Sequence, residues 1–308
     1  MKKSTRAAFG DALLELAEEF PNFITLDADL SGSTKTKSFA QKYPDRAFNL
    51  GIAEQNMLGF AAGAAITGKI PFACSFAIFS TGRAWEQIRQ SVAYANLNVK
   101  IIGTHAGILT GEDGATHQSL EDIAVLRSVP NIKIFSPADY YEAKSIVRFT
   151  LKDPSPTYLR LGRAGIPTIF DENYKFKEGK AVEIKPGNDF AIFSHGSTAS
   201  NCLLAAEELE KEGIKVSVFN FSSIKPIDEK AIKKVAREVG RILVVEDHST
   251  IGGLGSAVTE IVSDSCPCLV IRHGMTSFGE SGTPADLYQK YALDVPGIVD
   301  RAKKFNKK

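Results

Sequence analysis

Short apolar segments alternate with longer segments of helical period, and this alternation constrains the fold more than any other feature. The segments "NFITLDADL", "IPFACSF", "NVKIIGT", "NIKIFSP" and "PTYLRLG" are typical of buried strands, and segments such as "RAWEQIRQSVAYA" and "DYYEAKSIVRFTL" separate them. Strands that alternate with helices predict a parallel sheet with helices on both faces. A second series of the same kind runs from "DFAIFSHG" to "PCLVIRHG". The pattern therefore predicts an α/β protein of two consecutive doubly wound domains.

The length of 308 residues also fits two domains, each able to bury its own core. The segment "GRAGIPTIFDENYKFKEGKAVEIKPGND" interrupts the alternation with glycine, proline and mixed charges, which is typical of a linker. We predict a first domain over residues 1–170, a linker over 171–187 and a smaller second domain over 188–308.

The charge balance argues against several classes of partner. The chain has 37 basic and 36 acidic residues, so no basic surface for nucleic acid or an anionic membrane is visible. Four cysteines form neither a disulfide framework nor a Cys-x-x-Cys pair. The N-terminus resembles a charged amphipathic helix rather than a signal peptide, and no apolar run reaches about 18 residues. We expect a cytoplasmic protein that binds small molecules or other proteins.

Glu54 stands out because "NLGIAEQNMLGFAAGAAITG" places it about one turn into an almost wholly apolar helix, with no partner nearby in sequence. A carboxylate near a helix start can simply complement the helix dipole. Alternatively, a buried carboxyl group can hold a strong hydrogen bond to a heteroaromatic nitrogen and exchange a proton with it. The residues alone leave both interpretations open.

Polar clusters follow several of the predicted strands, at the edge where α/β sheets bind ligands. In "SFAIFSTGR", Phe76 and Phe79 lie three residues apart, which suits either the core or a flat wall for a planar ring. Arg6, Ser33 and Arg163 lie in or beside loops of the same edge and together would suit a phosphate. In the second domain, "HSTIGGLGSA" favours either a tight connection or an anion site at a helix start.

The loop "GTHAGILTGEDGATHQ" contains His105, Glu112, Asp113 and His117 among four glycines. A metal site is conceivable, although the spacing matches no familiar set of ligands. Asp113 could instead cap the loop. The third hypothesis is that the two histidines and the acid converge on a hydroxylated substrate.

Taken in order, "ADLSGS", "GIAEQNM", "THAGILTGEDGATHQ", "PNIKIFSPAD" and "LGR" resemble the pyrimidine-binding half of the thiamine diphosphate enzymes. The loop with the two histidines is most similar to transketolase, and the second domain resembles the C-terminal domain of that family. The resemblance thus implies a mainly parallel pyrimidine-binding sheet followed by a smaller transketolase C-terminal-like α/β domain.

The resemblance implies a role for each candidate residue. Glu54 would bond the aminopyrimidine of thiamine diphosphate and favour its imino tautomer, while the cofactor supplies the carbon chemistry. Phe76 and Phe79 would line the aminopyrimidine pocket, and Asp29 would lie near the thiazolium. Glu54, His105 and His117 are the candidate catalytic residues. The candidate substrate-binding residues are Arg6, Ser33, His105, Asp113, His117 and Arg163.

The family binds Mg²⁺ and the diphosphate through a Gly-Asp-Gly motif, and this motif does not occur in the sequence. The resemblance therefore implies that the metal ligands lie on a separate N-terminal subunit, with no metal site in this chain and an α2β2 assembly. The expected reaction is transfer of a two-carbon ketol unit between ketose and aldose phosphates, as in the pentose phosphate pathway.

Two alternatives remain. Gln55 and Gly82 are more similar to deoxyxylulose-phosphate synthase and to the E1 β subunits of 2-oxo acid dehydrogenases, whereas His105 and the GED…THQ loop favour transketolase. A non-catalytic regulatory subunit is the other alternative.

Overall fold

The computed structural model describes residues 2–307, and their strands form three sheets. The strands are β1 (Lys2–Lys3), β2 (Phe23–Asp27), β3 (Ala47–Asn49), β4 (Ile70–Phe76), β5 (Lys100–Thr104), β6 (Lys133–Phe135), β7 (Thr157–Arg160), β8 (Ile166–Pro167), β9 (Val182–Lys185), β10 (Phe190–Ser194), β11 (Val216–Asn220), β12 (Ser223–Lys225), β13 (Arg241–Ser249) and β14 (Leu269–Met275).

The α-helices are α1 (Thr5–Leu16), α2 (Ser31–Thr34), α3 (Lys37–Lys42), α4 (Glu54–Ile66), α5 (Trp85–Gln87), α6 (Asp122–Arg127), α7 (Tyr140–Lys152), α8 (Ala199–Lys211), α9 (Glu229–Glu238), α10 (Leu254–Ser265), α11 (Pro284–Lys290) and α12 (Val295–Asn306), the last two following β14. Side chains begin several of them: Ser4 accepts a hydrogen bond from Ala7 N, and Asp139 accepts one from Glu142 N. Two π-helical segments, Phe79–Arg83 and Ile88–Tyr94, flank α5.

The first sheet has the order β12-β6-β7-β5-β4-β2-β3, and the second has the order β14-β13-β10-β11-β9. All neighbours in both sheets are parallel except β12 beside β6 and β9 beside β11. Strands β1 and β8 form a small antiparallel pair. The expected α/β class, with two mainly parallel sheets and helices packed on them, is confirmed.

The core differs from the two separate cores expected from the sequence. Among residues 2–307, buried side chains form three clusters, and the largest contains residues of both sheets, such as Ile101 and Tyr158 from the first and Phe193 and Val244 from the second. The outer faces hold the other two clusters. Each sheet buries side chains on both of its faces. The buried side chains on the faces that the two domains turn towards each other form one shared cluster.

Two short strands lie where the sequence gives little indication of them. The predicted linker 171–187 contains β9, which adds an antiparallel edge to the second sheet, so that part of the segment is not irregular. Strand β12 comes from the second domain but pairs with β6 of the first sheet. Strands of three or four residues carry too few side chains for a period of two to be visible.

No helix within residues 2–307 is both long and apolar enough to cross a membrane.

Candidate active site

Most of the predicted site residues lie along one edge of the first sheet. Strands β7, β5, β4 and β2 are consecutive neighbours and run in the same direction. Asp29 follows β2, Phe76 ends β4 and Phe79 follows it, His105 follows β5 and Arg163 follows β7. Because parallel strands end at a common edge, four loops distant in sequence meet there.

Glu54 is the first residue of α4, and it is 2 % exposed. Its Oε1 accepts a hydrogen bond from Ser75 Oγ at 3.3 Å, and its Oε2 lies 2.9 Å from Arg83 Nη1. The sequence indicates no partner near Glu54, whereas the fold supplies Arg83 from 29 residues away. The Arg83 side chain is 52 % exposed, so the partner can move away from the carboxylate.

The two phenylalanines line this edge beside Glu54. Phe76 and Phe79 are stacked with ring centroids 5.6 Å apart, and the Arg83 guanidinium lies 4.4 Å from the Phe79 centroid. The His105 ring stacks on Phe76 at 3.7 Å. The aromatic pair therefore connects the Glu54–Arg83 pair to the histidine and is not confined to the interior of the domain.

His105 is buried and has a backbone φ of 58°, an uncommon conformation for a residue with a side chain. Its Nε2 lies 3.2 Å from Arg6 Nη1 and its Nδ1 lies 2.9 Å from Thr104 Oγ1. Burial, followed by the charges of Arg6 and Arg163, lowers the pKa of His105 to about 3. Since an arginine N–H only donates, Nε2 accepts and the proton of the neutral ring lies on Nδ1.

Contacts between the chain ends of the first domain bring Arg6 and Arg163 together. The amide of Gly162 donates to Thr5 Oγ1 at 2.8 Å, which joins the residue before each arginine. Arg6 donates to the carbonyl of Ser33 at 2.9 Å. Burial and the charge of Arg163 lower the pKa of Arg6, while Asp113 opposes this shift. Two cations therefore lie close together, as an anion site requires, with an acid beside them.

Close packing of α1 against the loop after β2 positions Arg6. A Cβ on Gly10 would come within 2.7 Å of Lys35 Cβ, so the helix approaches this loop at its glycine. Arg6 and Gly10 are four residues apart and share a helix face. The side chain of Arg6 is therefore directed at Ser33, two residues before Lys35.

His117, Asp113 and Asp29 lie at the rim of the site. His117 packs edge-on against Phe79 at 5.4 Å. Asp113 is exposed and reaches the others through its charge on Arg6. Asp29 is also exposed, and its carboxylate accepts a hydrogen bond from Asn49 Nδ2 at 3.0 Å rather than contacting the phenylalanines.

Sequence reasoning missed Asp27, which organises the loop that carries Asp29 and Ser33. The buried carboxylate of Asp27 accepts hydrogen bonds from Thr34 Oγ1 at 2.8 Å and from the amide of Leu30. Burial raises the pKa of Asp27. The signal was available in "LDADLSGSTKT", since an aspartate at a strand end followed by threonines is typical of side-chain-bonded turns.

Arg83 was missed as well, because the sequence shows only an arginine just after an aromatic pair.

The alternative anion site in "HSTIGGLGSA" is occupied by a carboxylate of the chain itself. Glu246 accepts hydrogen bonds from the amides of Leu254 and Gly255, at 2.8 and 2.9 Å, where α10 begins. A Cβ on Gly253 would come within 2.0 Å of this carboxylate, so the glycine permits the close approach.

The four polar residues of the loop after β5 do not form a metal cluster. Within residues 2–307, no group of three or more His, Cys, Asp or Glu side chains is arranged to hold a metal ion. Glu112 instead pairs with Arg163 at 2.8 Å.

Comparison with known families gives two matches that together span most of the chain. Residues 1–168 match the family described as transketolase, pyrimidine binding domain. Residues 179–298 match the family described as transketolase, C-terminal domain.

Individual relatives agree with this result over nearly the whole length. A Methanocaldococcus jannaschii protein provisionally named as a transketolase C-terminal section is 45 % identical, over 97 % of this chain and 95 % of the relative. A 6-deoxy-6-sulfo-D-fructose transketolase subunit of Clostridium sp. strain MSTE9 is 40 % identical, over 96 % and 92 %. A solved structure described as a split gene transketolase, inactive beta4 tetramer, has a TM-score of 0.92 at 44 % identity, over 99 % and 98 % of the two chains. The chain therefore belongs to the transketolase family and corresponds to the C-terminal section of a split transketolase.

Proposed function

We propose that this chain is the catalytic C-terminal subunit of a thiamine diphosphate-dependent transketolase that moves a two-carbon ketol unit between ketose and aldose phosphates. The observation that carries the proposal is the row Glu54–Arg83–Phe79–Phe76–His105–Arg6 along one sheet edge. It runs from a buried carboxylate, across two aromatic rings, to a neutral histidine and a cation. Such a row suits a heterocycle at one end and a sugar phosphate at the other.

The residues at the carboxylate end fit the aminopyrimidine of thiamine diphosphate. Glu54 Oε1 has only the 3.3 Å contact with Ser75, and Oε2 is paired with a half-exposed arginine. Because the Arg83 side chain is half-exposed, it can turn towards water, and a ring nitrogen that bonds Oε2 in its place keeps the buried carboxylate hydrogen-bonded. When bound, the cofactor supplies a nucleophilic carbon that can carry the ketol unit. Glu54 would hold and exchange the proton at the ring nitrogen, and Phe76 and Phe79 would exclude water.

The other end of the row fits a phosphorylated sugar. Neutral His105 and the neighbouring His117 would contact the hydroxyl and carbonyl groups of the ketose. Arg6, Ser33 and Arg163 would hold the phosphate, since arginines bind phosphate oxygens with two parallel hydrogen bonds. Asp113, close enough to act on Arg6, would contact a sugar hydroxyl, and Asp29 would lie near the thiazolium.

The site would be completed by an N-terminal subunit that carries the Mg²⁺ and diphosphate ligands, in an α2β2 assembly. The glutamate end of the row lies in a chain that contains no Gly-Asp-Gly motif. The solved split-gene relative is described as inactive as a β4 tetramer, which supports a requirement for the second type of chain.

The proposal is tested with the complex of this chain and its N-terminal partner in thiamine diphosphate and Mg²⁺. We expect transfer from xylulose 5-phosphate to ribose 5-phosphate, measured as formation of sedoheptulose 7-phosphate. Glu54→Gln keeps the size of the side chain but removes its proton chemistry, so kcat should fall by about 10²–10⁴-fold. A Glu54→Gln complex as fast as wild type would contradict the assignment.

Glu142→Gln is the matched control. Glu142 is fully buried and accepts hydrogen bonds from Ala138 N, Tyr174 Oη and Asn220 Nδ2 at 2.7–2.9 Å, and none of these partners belongs to the row described above. Its substitution should lower Tm and leave kcat unchanged. The same activity loss in both variants would show that losing any buried carboxylate disables the complex.

The identity of the donor is open to a direct screen. The Clostridium relative is named for a sulfonated ketose, and a sulfonate and a phosphate are both anions that Arg6 and Arg163 could bind. The screen compares xylulose 5-phosphate, fructose 6-phosphate, 6-deoxy-6-sulfofructose and pyruvate at equal concentration. Consumption of pyruvate without use of a ketose would favour the synthase or dehydrogenase alternative.

A further inference from the structure

The loop 105–118, which carries both histidines of the proposed site, is anchored by three hydrogen bonds to the second domain. Ile108 N donates to Asp247 Oδ1 at 2.9 Å, and Asp247 lies on β13 of the second sheet. Farther along the loop, Ser281 Oγ donates to the carbonyl of Glu112 at 2.6 Å. At its end, Gln118 Nε2 donates to the carbonyl of Glu280 at 2.9 Å. The loop is thus anchored at its start, middle and end by residues distant in sequence.

The contact with Asp247 is the most closely fitted of these anchors. Gly107 has a φ of 80°, and a Cβ there would come within 2.2 Å of Asp247 Oδ2. Only glycine therefore lets the backbone reach the carboxylate, and it does so two residues after His105. Asp247 and Ile108 are both almost fully buried, so the amide has no water as an alternative partner.

Asp247 is in turn held from its other side. Its Oδ2 lies 3.1 Å from Tyr288 Oη and 3.4 Å from Ser197 Oγ, and those two hydroxyl groups are 2.7 Å apart. Its carbonyl accepts from Arg160 Nη2 at 2.9 Å. Arg160 ends β7, the strand next to β5, so the same aspartate connects the second domain to the sheet that bears His105.

We propose that Asp247 is a positioning residue for ketol transfer: by accepting the Ile108 amide, it fixes the loop 105–118 and so sets His105 and His117 over the sugar. This inference rests on the function proposed above. It gives the second domain a part in catalysis although none of its side chains belongs to the row of site residues. The cofactor end of the row lies on α4 and β4, which Asp247 does not contact through hydrogen bonds.

The kinetic test uses the complete complex with its N-terminal partner. Asp247→Ala leaves the buried Ile108 amide without an acceptor, so kcat/KM for the ketose phosphate donor should fall by about 10- to 100-fold. The Kd for thiamine diphosphate should change much less than kcat/KM, because Glu54 is held by Ser75 and Arg83, which lie outside the loop. Asp247→Asn keeps an acceptor oxygen and should restore most of the activity.

Glu246→Gln is the matched control, since Glu246 precedes Asp247, is equally buried, and accepts backbone amides of its own domain. It should lower Tm and leave kcat/KM unchanged. If Asp247→Ala behaves like Glu246→Gln, with lower Tm and normal donor kinetics, Asp247 is only structural and the proposal is wrong.

A second measurement does not depend on the reaction. Hydrogen exchange of the full chain, followed by mass spectrometry of peptides from 105–118, should be faster in Asp247→Ala than in wild type and unchanged in Glu246→Gln. If Asp247→Ala does not yield folded protein, Tyr288→Phe takes its place, with a smaller increase in exchange. Unchanged exchange in the loop would overturn the proposal. Absence of ketol transfer in the wild-type complex would instead overturn the proposed function, and with it the catalytic part of this inference, while faster exchange in Asp247→Ala would still show that Asp247 anchors the loop.

Discussion

The two parallel sheets end in polar edges of opposite character. The edge of the first sheet is open: Arg83, Arg163, Asp113 and Asp29 are exposed or partly exposed around the buried Glu54 and His105. The edge of the second sheet is closed, and its strand β13 ends in Glu246, Asp247 and His248, each at most 1 % exposed. The same architecture thus leaves one edge free for a ligand and uses the other to support it.

The largest effect should come from Arg160, which ends β7 of the first sheet and donates to the carbonyl of Asp247 at the closed edge. Burial alone would raise the pKa of Asp122, but Arg160 Nε, 2.8 Å away, and His248 lower it below its ordinary value. Arg160→Met leaves this carboxylate buried without its cation. We expect the free energy of unfolding to fall by about 3–5 kcal/mol, measured by urea denaturation. A loss below about 1 kcal/mol would show that the Arg160–Asp122 pair contributes little to stability.

At the open edge, Arg163→Met should affect binding and not stability. Arg163 pairs only with the exposed Glu112 and with the carbonyl of Thr110, so Tm should change little. Loss of a charge-assisted hydrogen bond to phosphate should lower kcat/KM by about 10- to 100-fold for phosphorylated donors. A non-phosphorylated ketose serves as the control donor, and an equal loss for both donors would contradict a role in phosphate binding.

The charge state of His105 offers a finer test of the open edge. Because its pKa is about 3, the ring should stay neutral from pH 5 to 8, measured by NMR of histidine-labelled protein. Arg6→Gln removes a nearby positive charge and should raise this pKa, which burial still holds below the ordinary 6.5. A ring that titrates near 6.5 in the wild type would be inconsistent with the buried position.

The same pKa predicts the direction of the pH dependence of stability. The unfolded state takes up the proton near pH 6.5 and the folded state only near pH 3. The stabilisation by neutral His105 is therefore complete above pH 6.5 and is lost progressively as the pH falls towards 3. His105→Asn should weaken this dependence, measured as the free energy of unfolding between pH 7 and 4.

The smallest effect on function is expected at Arg83. Arg83→Gln removes the cation that pairs with the buried Glu54 carboxylate but keeps an amide donor, so the free energy of unfolding should fall by about 1–3 kcal/mol, less than for Arg160→Met. In the proposed function Arg83 competes with the aminopyrimidine for Glu54 Oε2, so thiamine diphosphate should bind equally well or up to a few-fold more tightly. Isothermal titration of the complex measures this, and a large loss of cofactor affinity would mean that Arg83 itself helps to bind the cofactor.

Much of the fold, and the set of loops that form the candidate site, could be predicted from the sequence alone. Alternation of apolar and helical segments predicted both parallel sheets, and polar residues placed after strands predicted which loops would meet. Arg6, Ser33, His105 and Arg163 do lie together. The roles of these residues, and the boundaries 1–170 and 188–308, stay predictions.

The features that the sequence did not predict depend on contacts between residues far apart in the chain. Arg83 and Glu54 are 29 positions apart, and Asp247 and Ile108 are 139 apart, so no local pattern connects them. Strand β12, which belongs to the second domain but pairs with β6 of the first sheet, has only three residues.

The sequence by itself determined the class of fold, because the period of apolar residues and the polar residues at strand ends are local properties. They can be recognised without knowing how distant parts of the chain pack together. Tertiary structure alone decided which edge is open and which is buried. That choice follows from contacts between the domains: the loop 105–118 and α6 of the first domain cover Asp247 and His248 and remove water from the end of β13, whereas the edge of the first sheet keeps exposed side chains such as Asp113.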